Sequence, residues 1–260
     1  MQASEAAERI RGCSNELKFS WIRDNIADFL MEAHTTDMTV DEAIAEMFER
    51  ECTARRGNAV RRKMRAAKFP YAMDFESFRT DHMPPEMRSE VRRLSTLDFM
   101  EDKGNVILMG NPGTGKTALS VAIGTKVCRS GGRVSFVNVS DLVIRIKEAM
   151  SLNEISRLKR NFERYELVIL DDLGYCSFNK ECGEVLFNLI SARNLRGSMV
   201  ITTNLSFDKW NEVFDDRVLT GAIVDRVAHK AHVVDMTGES YRVLETERWI
   251  EEASAATQGE

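Results

Sequence analysis

No stretch of this 260-residue chain approaches the roughly 18 uninterrupted apolar residues that a membrane-spanning helix needs. The opening residues Met1-Gln2-Ala3-Ser4-Glu5 lack the basic start and apolar core of a secretory signal. Cysteine is scarce: Cys13, Cys52, Cys128, Cys176 and Cys182 are odd in number and never closer than six residues apart. Such spacing fits neither a zinc site nor a disulfide framework, so free thiols in a reducing cytoplasm are expected. Internal repeats, low-complexity tracts and base-reading motifs such as a zinc finger are also missing, which argues against strong sequence specificity toward any nucleic acid. What remains, 43% apolar and 30% charged residues, is the balance of a chain with a packed core. Its length suffices for one full α/β domain plus a smaller module. The net charge of −5 does not by itself announce a nucleic-acid partner.

The distribution of charge says more than its sum. Residues 1–49 hold eleven acidic and four basic side chains, whereas residues 50–68 hold eight basic and one acidic. The reversal falls inside a helical module over residues 1–68, where Leu17, Trp21, Ile22, Ile26, Phe29 and Leu30 recur at helical spacing, as do Ala43, Ile44, Met47 and Phe48. Thr39 ahead of Asp41-Glu42 reads as a helix start with acids in the first turn. Phe69-Pro70 closes the module, because proline pushes its predecessor out of the helical region. A connector over residues 69–103 follows, with Pro84-Pro85 opening a helix expected to reach Met100. The basic stretch, with Arg55, Arg56, Arg61, Arg62, Lys63 and Arg65, has two readings. It is a phosphate-backbone contact for DNA, or it is neutralised by its acidic neighbour within the chain.

From residue 104 to 260, apolar strand-like runs alternate with helix-length segments. The runs are Val106 to Met109, Val134 to Val139, Leu167 to Leu170, Ser198 to Thr203 and His232 to Met236. Continuous apolar runs are what a strand buried on both faces requires, so a five-stranded parallel, doubly wound α/β sheet is expected, with its ligand at the carboxyl ends of the strands.

The most informative stretch is Gly110-Asn111-Pro112-Gly113-Thr114-Gly115-Lys116-Thr117, a complete GxxxxGK[ST] phosphate loop between a strand and a helix. Its glycines let the backbone amides turn inward toward a phosphate chain, with the positive end of a helix behind them. Lys116 is placed to reach the β- and γ-phosphates of ATP, and the Thr117 hydroxyl to hold Mg²⁺. Asp171-Asp172 closes the third strand, 54 residues after Thr117, in the manner of a Walker B element. The first acid is assigned to the metal and the second to the attacking water. Asn204, ending the fourth strand, either positions that water (the sensor 1 role) or merely caps the strand. Downstream, Arg226 is the preferred arginine finger toward a neighbouring subunit, with Arg217 as the alternative and an ion pair on its own helix as the plain reading.

Taken together, the loop, Asp171-Asp172-Leu173-Gly174-Tyr175, Ile201-Thr202-Thr203-Asn204-Leu205, Val224-Asp225-Arg226-Val227-Ala228-His229 and Gly238-Glu239-Ser240-Tyr241-Arg242 resemble IstB-type transposition helper ATPases. These belong to the same AAA+ branch as the DnaC and DnaI helicase loaders. The similarity extends to the amino-terminal module through Arg61-Arg62-Lys63 and Phe69-Pro70. It implies a P-loop AAA+ ATPase domain preceded by a small all-α module. It also implies a homo-oligomer assembled with ATP on DNA, which recruits or activates a partner transposase. By motif matching, Lys116 and Thr117 take the loop roles, Asp171 the metal, Asp172 the water, Asn204 sensor 1 and Arg226 the finger. Where the family often carries Asp-Glu, this chain has Asp-Asp. Only 34 residues follow Arg226, so a complete helical lid is not expected.

In related initiators and loaders, a helical element between the second strand and Walker B meets DNA. Here that segment offers Arg145, Lys147, Arg157, Lys159, Arg160 and Arg164, with ordinary helix surface as the alternative. Two further readings of function stand beside transposition. A replicative helicase loader would use the same nucleotide motifs on single strands. A nucleotide-locked binding module would never turn over. Asn179-Lys180-Glu181-Cys182 lacks the closing Asp of a guanine-reading NKxD, which disfavours a GTPase.

Overall fold

The computed structural model describes residues 2–81, 83–238, 240, 241, 243, 246, 249 and 250. It divides into two compact units, residues 1–62 and 63–260, with the division falling inside one long helix.

The first unit holds α1 (Gln2–Glu16), α2 (Ser20–Thr35) and most of α3 (Val40–Ala67). Ala7, Ile22, Ile26 and Phe29 form its core, with Trp21, Leu30, Ala43 and Met47 packed around them. Not every residue at helical spacing goes inside. Leu17 lies between α1 and α2 and is 60% exposed, and Ile44 and Phe48 are also exposed. So small a core is supplemented by polar ties. Phe19 caps α2 without a side-chain acceptor, and the buried Glu51 carboxylate on α3 accepts the orphaned amides of Ser20, Trp21 and Ile22 at 3.2, 2.8 and 3.1 Å. Burial alone would push the Glu51 carboxyl up. The hydrogen bonds from Arg55 and the α2 amides outweigh it and hold the group below the usual glutamate range. Arg50 grips Glu32 through both terminal nitrogens at 2.7 and 2.6 Å and lies over the Trp21 and Phe29 rings. At the start of α3, Thr39 and Glu42 make the reciprocal bonds of a capping box, at 2.9 and 3.4 Å.

The second unit is a parallel five-stranded sheet in the order β2-β3-β4-β1-β5, covered on both faces by helices. The strands are β1 (Asn105–Met109), β2 (Val134–Asn138), β3 (Leu167–Leu173), β4 (Ser198–Thr203) and β5 (Ala231–Asp235). Alternation along them sorts the core into two layers. Val106, Leu108, Val134, Phe136, Leu167, Ile169 and Val200 face α4 (Pro85–Thr96) and α5 (Lys116–Arg129). Ile107, Val137, Val168, Leu170, Met199 and Ile201 face α6 (Val139–Ser151), α7 (Ile155–Glu163), α8 (Lys180–Arg193) and α10 (Arg217–Ala228). Short α9 (Asn211–Phe214) precedes α10. Each fully buried Leu, Ile or Val contributes about 1.5–3 kcal/mol. Buried Arg193 closes the edge where α7 feeds β3, donating to the carbonyls of Tyr165 and Ser198 at 3.0 and 2.9 Å. Desolvation pulls its guanidinium down to about 10.

Two expected boundaries move for local reasons. The connector helix stops at Thr96 rather than Met100, because Ser95 and Thr96 turn their hydroxyls back to the carbonyls of Arg92 and Arg93. These bonds compete with the next helical turn, and Leu97 then adopts a left-handed φ of 68°. The second strand gives way to α6 at Val139, because Asn138 accepts the Ser140 amide at 2.9 Å as an N-cap. Among the described residues, no helix is long and apolar enough to cross a membrane.

Candidate nucleotide site

Central strand β1 delivers the phosphate loop to the carboxyl edge of the sheet, and α5 carries it away. Gly110 has φ 151°, and a Cβ there would lie 2.4 Å from the Met236 carbonyl carbon, so only glycine lets the chain turn beside β5. Gly113, at φ 82°, is approached as closely by Ser240, while the Tyr241 amide donates to its carbonyl at 2.9 Å. The segment after β5 therefore lies along the loop. Gly115, left-handed at φ 90°, is the N-cap of α5 and leaves the first helical amides at the cradle. Lys116 is buried, and its ammonium donates to the carbonyls of Gly110 and Asn111 at 2.7 and 2.6 Å. Thr114 closes the loop by donating to Asn111.

The acids arrive from β3, two strands away. The register of β3 against β4 shifts between Leu170 and Leu173, and Asp172 takes a left-handed φ of 63°. Asp171 is buried and accepts from the Thr117 hydroxyl at 3.0 and 3.2 Å and from the Thr202 hydroxyl at 2.7 Å. The same Thr202 oxygen accepts the Asp172 amide at 2.9 Å, replacing the ladder bond that the bulge removes. Asn138, ending β2, reaches the Asp172 carboxylate at 3.4 Å. Burial pushes the Asp171 carboxyl up, and Asp172's charge adds to that, against hydrogen bonds from Thr202 and Thr117 and the charge of Lys116. A hydroxyl beside a carboxylate is a hard-oxygen pair suited to Mg²⁺. That ion takes one or two protein oxygens and completes its shell with phosphates and water. Among the described residues, no group of three or more His, Cys, Asp or Glu side chains is arranged to hold a metal ion by itself.

Structure thus brings Lys116, Thr117, Asp171 and Asp172 together around the loop. Asn204 follows β4, next to β3 in the sheet, and its Oδ1 is buried without a hydrogen-bond partner among the described residues. Arg217 and Arg226 stand apart on α10, both exposed. Neither side chain makes an ion pair among the described residues. Of the run Gly238 to Arg242, Glu239 and Arg242 lie outside the described residues, as do residues 251–260.

The basic side chains have differing company. In the first unit, Arg55 is tied to Glu51 at 2.9 Å and to the Lys18 carbonyl at 2.7 Å, and lies over the Phe19 ring. Arg61 bonds Asn58, whereas exposed Arg56 and Arg62 make no ion pair among the described residues. In the second unit, Lys63 donates to the Gly131 carbonyl, and Arg65 is exposed. Arg145 and Lys147 on α6, Lys159 and Arg160 on α7, and Arg164 just after it are exposed, with Arg157 paired to Glu154. On α7 they stand opposite the Ile155, Leu158 and Phe162 stripe that packs inward.

Two features escaped the sequence. Thr202 looks like one more buried threonine until β4 is placed beside β3. A cavity of about 150 Å³ beside the loop, walled by Met73, Phe78, Met83, Gly115, Ala118 and Tyr241, is also not visible from spacing. Its turn is held by Asp74, which accepts the Ser77 amide and the Arg129 guanidinium, both at 2.9 Å. These bonds pull its carboxyl down to about 2. Aromatic and methionine residues at 73, 75 and 78, ahead of β1 and outside any helical pattern, were the available signal.

A family model described as IstB-like ATP binding protein matches residues 13–248. The chain is 31% identical over 231 residues to an ATP-binding protein of insertion sequence IS21 from Pseudomonas aeruginosa, covering 89% of this chain and 87% of that one. It is 34% identical over 229 residues to an insertion-sequence ATP-binding protein from Sinorhizobium fredii (strain NBRC 101917 / NGR234), covering 88% and 77%. Among solved structures, DnaI is similar in fold, with a TM-score of 0.55 at 19% identity over 69% of this chain and 92% of that one.

Proposed function

The chain belongs to the IstB-like ATP-binding proteins, and from that premise we propose that it assembles on DNA with ATP and recruits or activates a partner transposase. It is an ATP hydrolase of the AAA+ type. The transposition reading draws on relatives that are ATP-binding proteins of insertion sequences. The observation that carries the chemistry is the meeting of Thr117 and Thr202 on one buried Asp171 carboxylate beside the glycine loop.

In this reading the triphosphate and Mg²⁺ supply the transferable phosphoryl group and the charge that polarises it. Lys116, resting on loop carbonyls, supplies positive charge for the β- and γ-phosphates. Thr117 and Asp171 hold the metal. Asp172, aimed by its left-handed backbone and by Asn138, orients or deprotonates the attacking water. Asn204 offers an unused acceptor to the same water. The cavity at Phe78 and Tyr241 takes the base. Arg226, exposed at the end of α10, completes a neighbour's site and makes hydrolysis depend on assembly. Exposed cations of the α3 basic stretch and of α6 and α7 contact backbone phosphates, without strong base preference.

Phosphate release with and without duplex DNA tests the enzymatic half: the rate should rise with DNA and vanish in Lys116→Ala. Binding without turnover under either condition would reduce the protein to a nucleotide-locked module. Affinity capture tests the other half, with an integrase-like transposase expected. Retention of a hexameric helicase in its place would assign the protein to helicase loading.

A further inference from the structure

A second concave surface lies on the connector and α4, beside the nucleotide site, with which it shares only the Phe78 ring. It encloses about 350 Å³ and is lined by Phe75, Phe78, Thr80, Arg88, Arg92 and Ser95. Arg88 and Arg92 are one helical turn apart, so both guanidinium groups stand on the same side of α4. Neither makes an ion pair among the described residues, although their helix carries two acids, Glu86 and Glu90. Glu90 is taken by Arg93, and Glu86, two residues before Arg88, points to another side of the helix, which leaves the two pocket arginines without an ion pair among the described residues. Ser95 spends its proton on the Arg92 carbonyl at 2.7 Å. Across from the arginines are two phenylalanine rings, and the Lys126 ammonium lies 5.9 Å from the Phe75 centroid.

Two forked donors beside an aromatic floor match one chemistry well. Arginine pairs bind phosphate oxygens, and flat rings accept an unpaired base. We propose that this surface holds one nucleotide unit of a single-stranded nucleic acid, with its phosphate on Arg88 and Arg92 and its base against Phe75. A duplex would present only the phosphate. The pocket therefore contributes a strand-opening or strand-holding contact that the α3, α6 and α7 cations do not supply. The inference does not depend on a transposase partner.

The test uses the full chain with Mg²⁺ and ATP, and a fluorescein-labelled oligothymidylate read by anisotropy over a salt series. Arg88→Gln/Arg92→Gln should weaken binding at least tenfold and flatten the log–log salt slope by about 1.4, two single-strand phosphate contacts. Arg93→Gln, on the same helix but paired to Glu90, should change affinity less than twofold. A fluorescent ATP analogue should bind the double variant as it binds wild type, which shows the fold intact. Ultraviolet cross-linking of a 5-bromouracil oligomer should map to Phe75. Undiminished oligomer binding by the double variant, or cross-links confined to α6 and α7, overturns the proposal. So does displacement of the labelled oligomer by inorganic pyrophosphate at concentrations no higher than those at which unlabelled oligothymidylate displaces it, which would make this a small-anion site.

Discussion

Replacing Thr202 by valine keeps the shape of a fully buried side chain and removes one oxygen that serves both Walker B acids. Two losses follow. The 2.7 Å donation to Asp171 is a hydrogen bond to a carboxylate, worth about 1.5–3 kcal/mol. The Asp172 amide, now paired at 2.9 Å, would be left unsatisfied in the sheet at a cost of about 1–3 kcal/mol. Because Asp171 keeps its bonds from Thr117, the sum is discounted to about 2–4 kcal/mol. The Asp172 amide bond also helps to hold a left-handed non-glycine residue, a conformation that costs about 1–3 kcal/mol and relaxes when its partner goes. Thr202→Val should therefore lower the urea midpoint of the ATPase unit by about 1 M at an m-value near 3 kcal/mol/M. It should slow phosphate release by tenfold or more while ATP binding falls little. Thr202→Ser should restore both. A valine variant within about 0.5 kcal/mol of wild type and hydrolysing ATP normally would refute the view that this hydroxyl positions the acids.

Asp172→Asn should preserve ATP binding, slow hydrolysis and prolong the life of the DNA complex in a dissociation assay; normal hydrolysis would remove Asp172 from its role. Glu51→Gln should destabilise the first unit by about 1–2 kcal/mol, since a charged cap on three α2 amides is lost, as followed by Trp21 fluorescence in urea. Glu51's folded-state pKa is depressed, so its stabilisation is full above the ordinary value of 4.5 and drains away as pH falls through the lower folded value. The wild type should thus weaken in acid below about pH 4.5 more steeply than the glutamine variant, and equal slopes would contradict the linkage. Reversing Arg61, Arg62 and Lys63 to Glu should lower DNA affinity and flatten its salt dependence. Unchanged binding would give that stretch to a protein partner.

Elements whose cause is local were legible before any coordinates. Strands β1, β3 and β4 could be located because burial on both faces demands unbroken apolar runs such as Val106 to Met109 and Leu167 to Leu170, whereas the run at edge strand β5 buries only Val234. The phosphate loop was visible because its backbone geometry demands glycine at fixed spacing. What stayed hidden depends on residues distant in the chain. Thr202 matters because β4 pairs with β3 across a bulge. Glu51 matters because α2 starts beside it, thirty residues earlier in sequence. Phe78 and Tyr241 share a wall only once the sheet is closed by β5. Helical spacing in the first unit overcounted its core, since Leu17, Ile44 and Phe48 recur with it and yet are exposed. Arg55 shows the same limit: a cation in a basic run was already spent on Glu51.

Sedimentation velocity of the purified chain with duplex DNA, Mg²⁺ and a non-hydrolysable ATP analogue tests the central claim most directly. Large protein–DNA particles should form only when nucleotide and duplex are both present, and Lys116→Ala should abolish them. A chain that sediments as a single copy under saturating duplex and analogue would contradict the account.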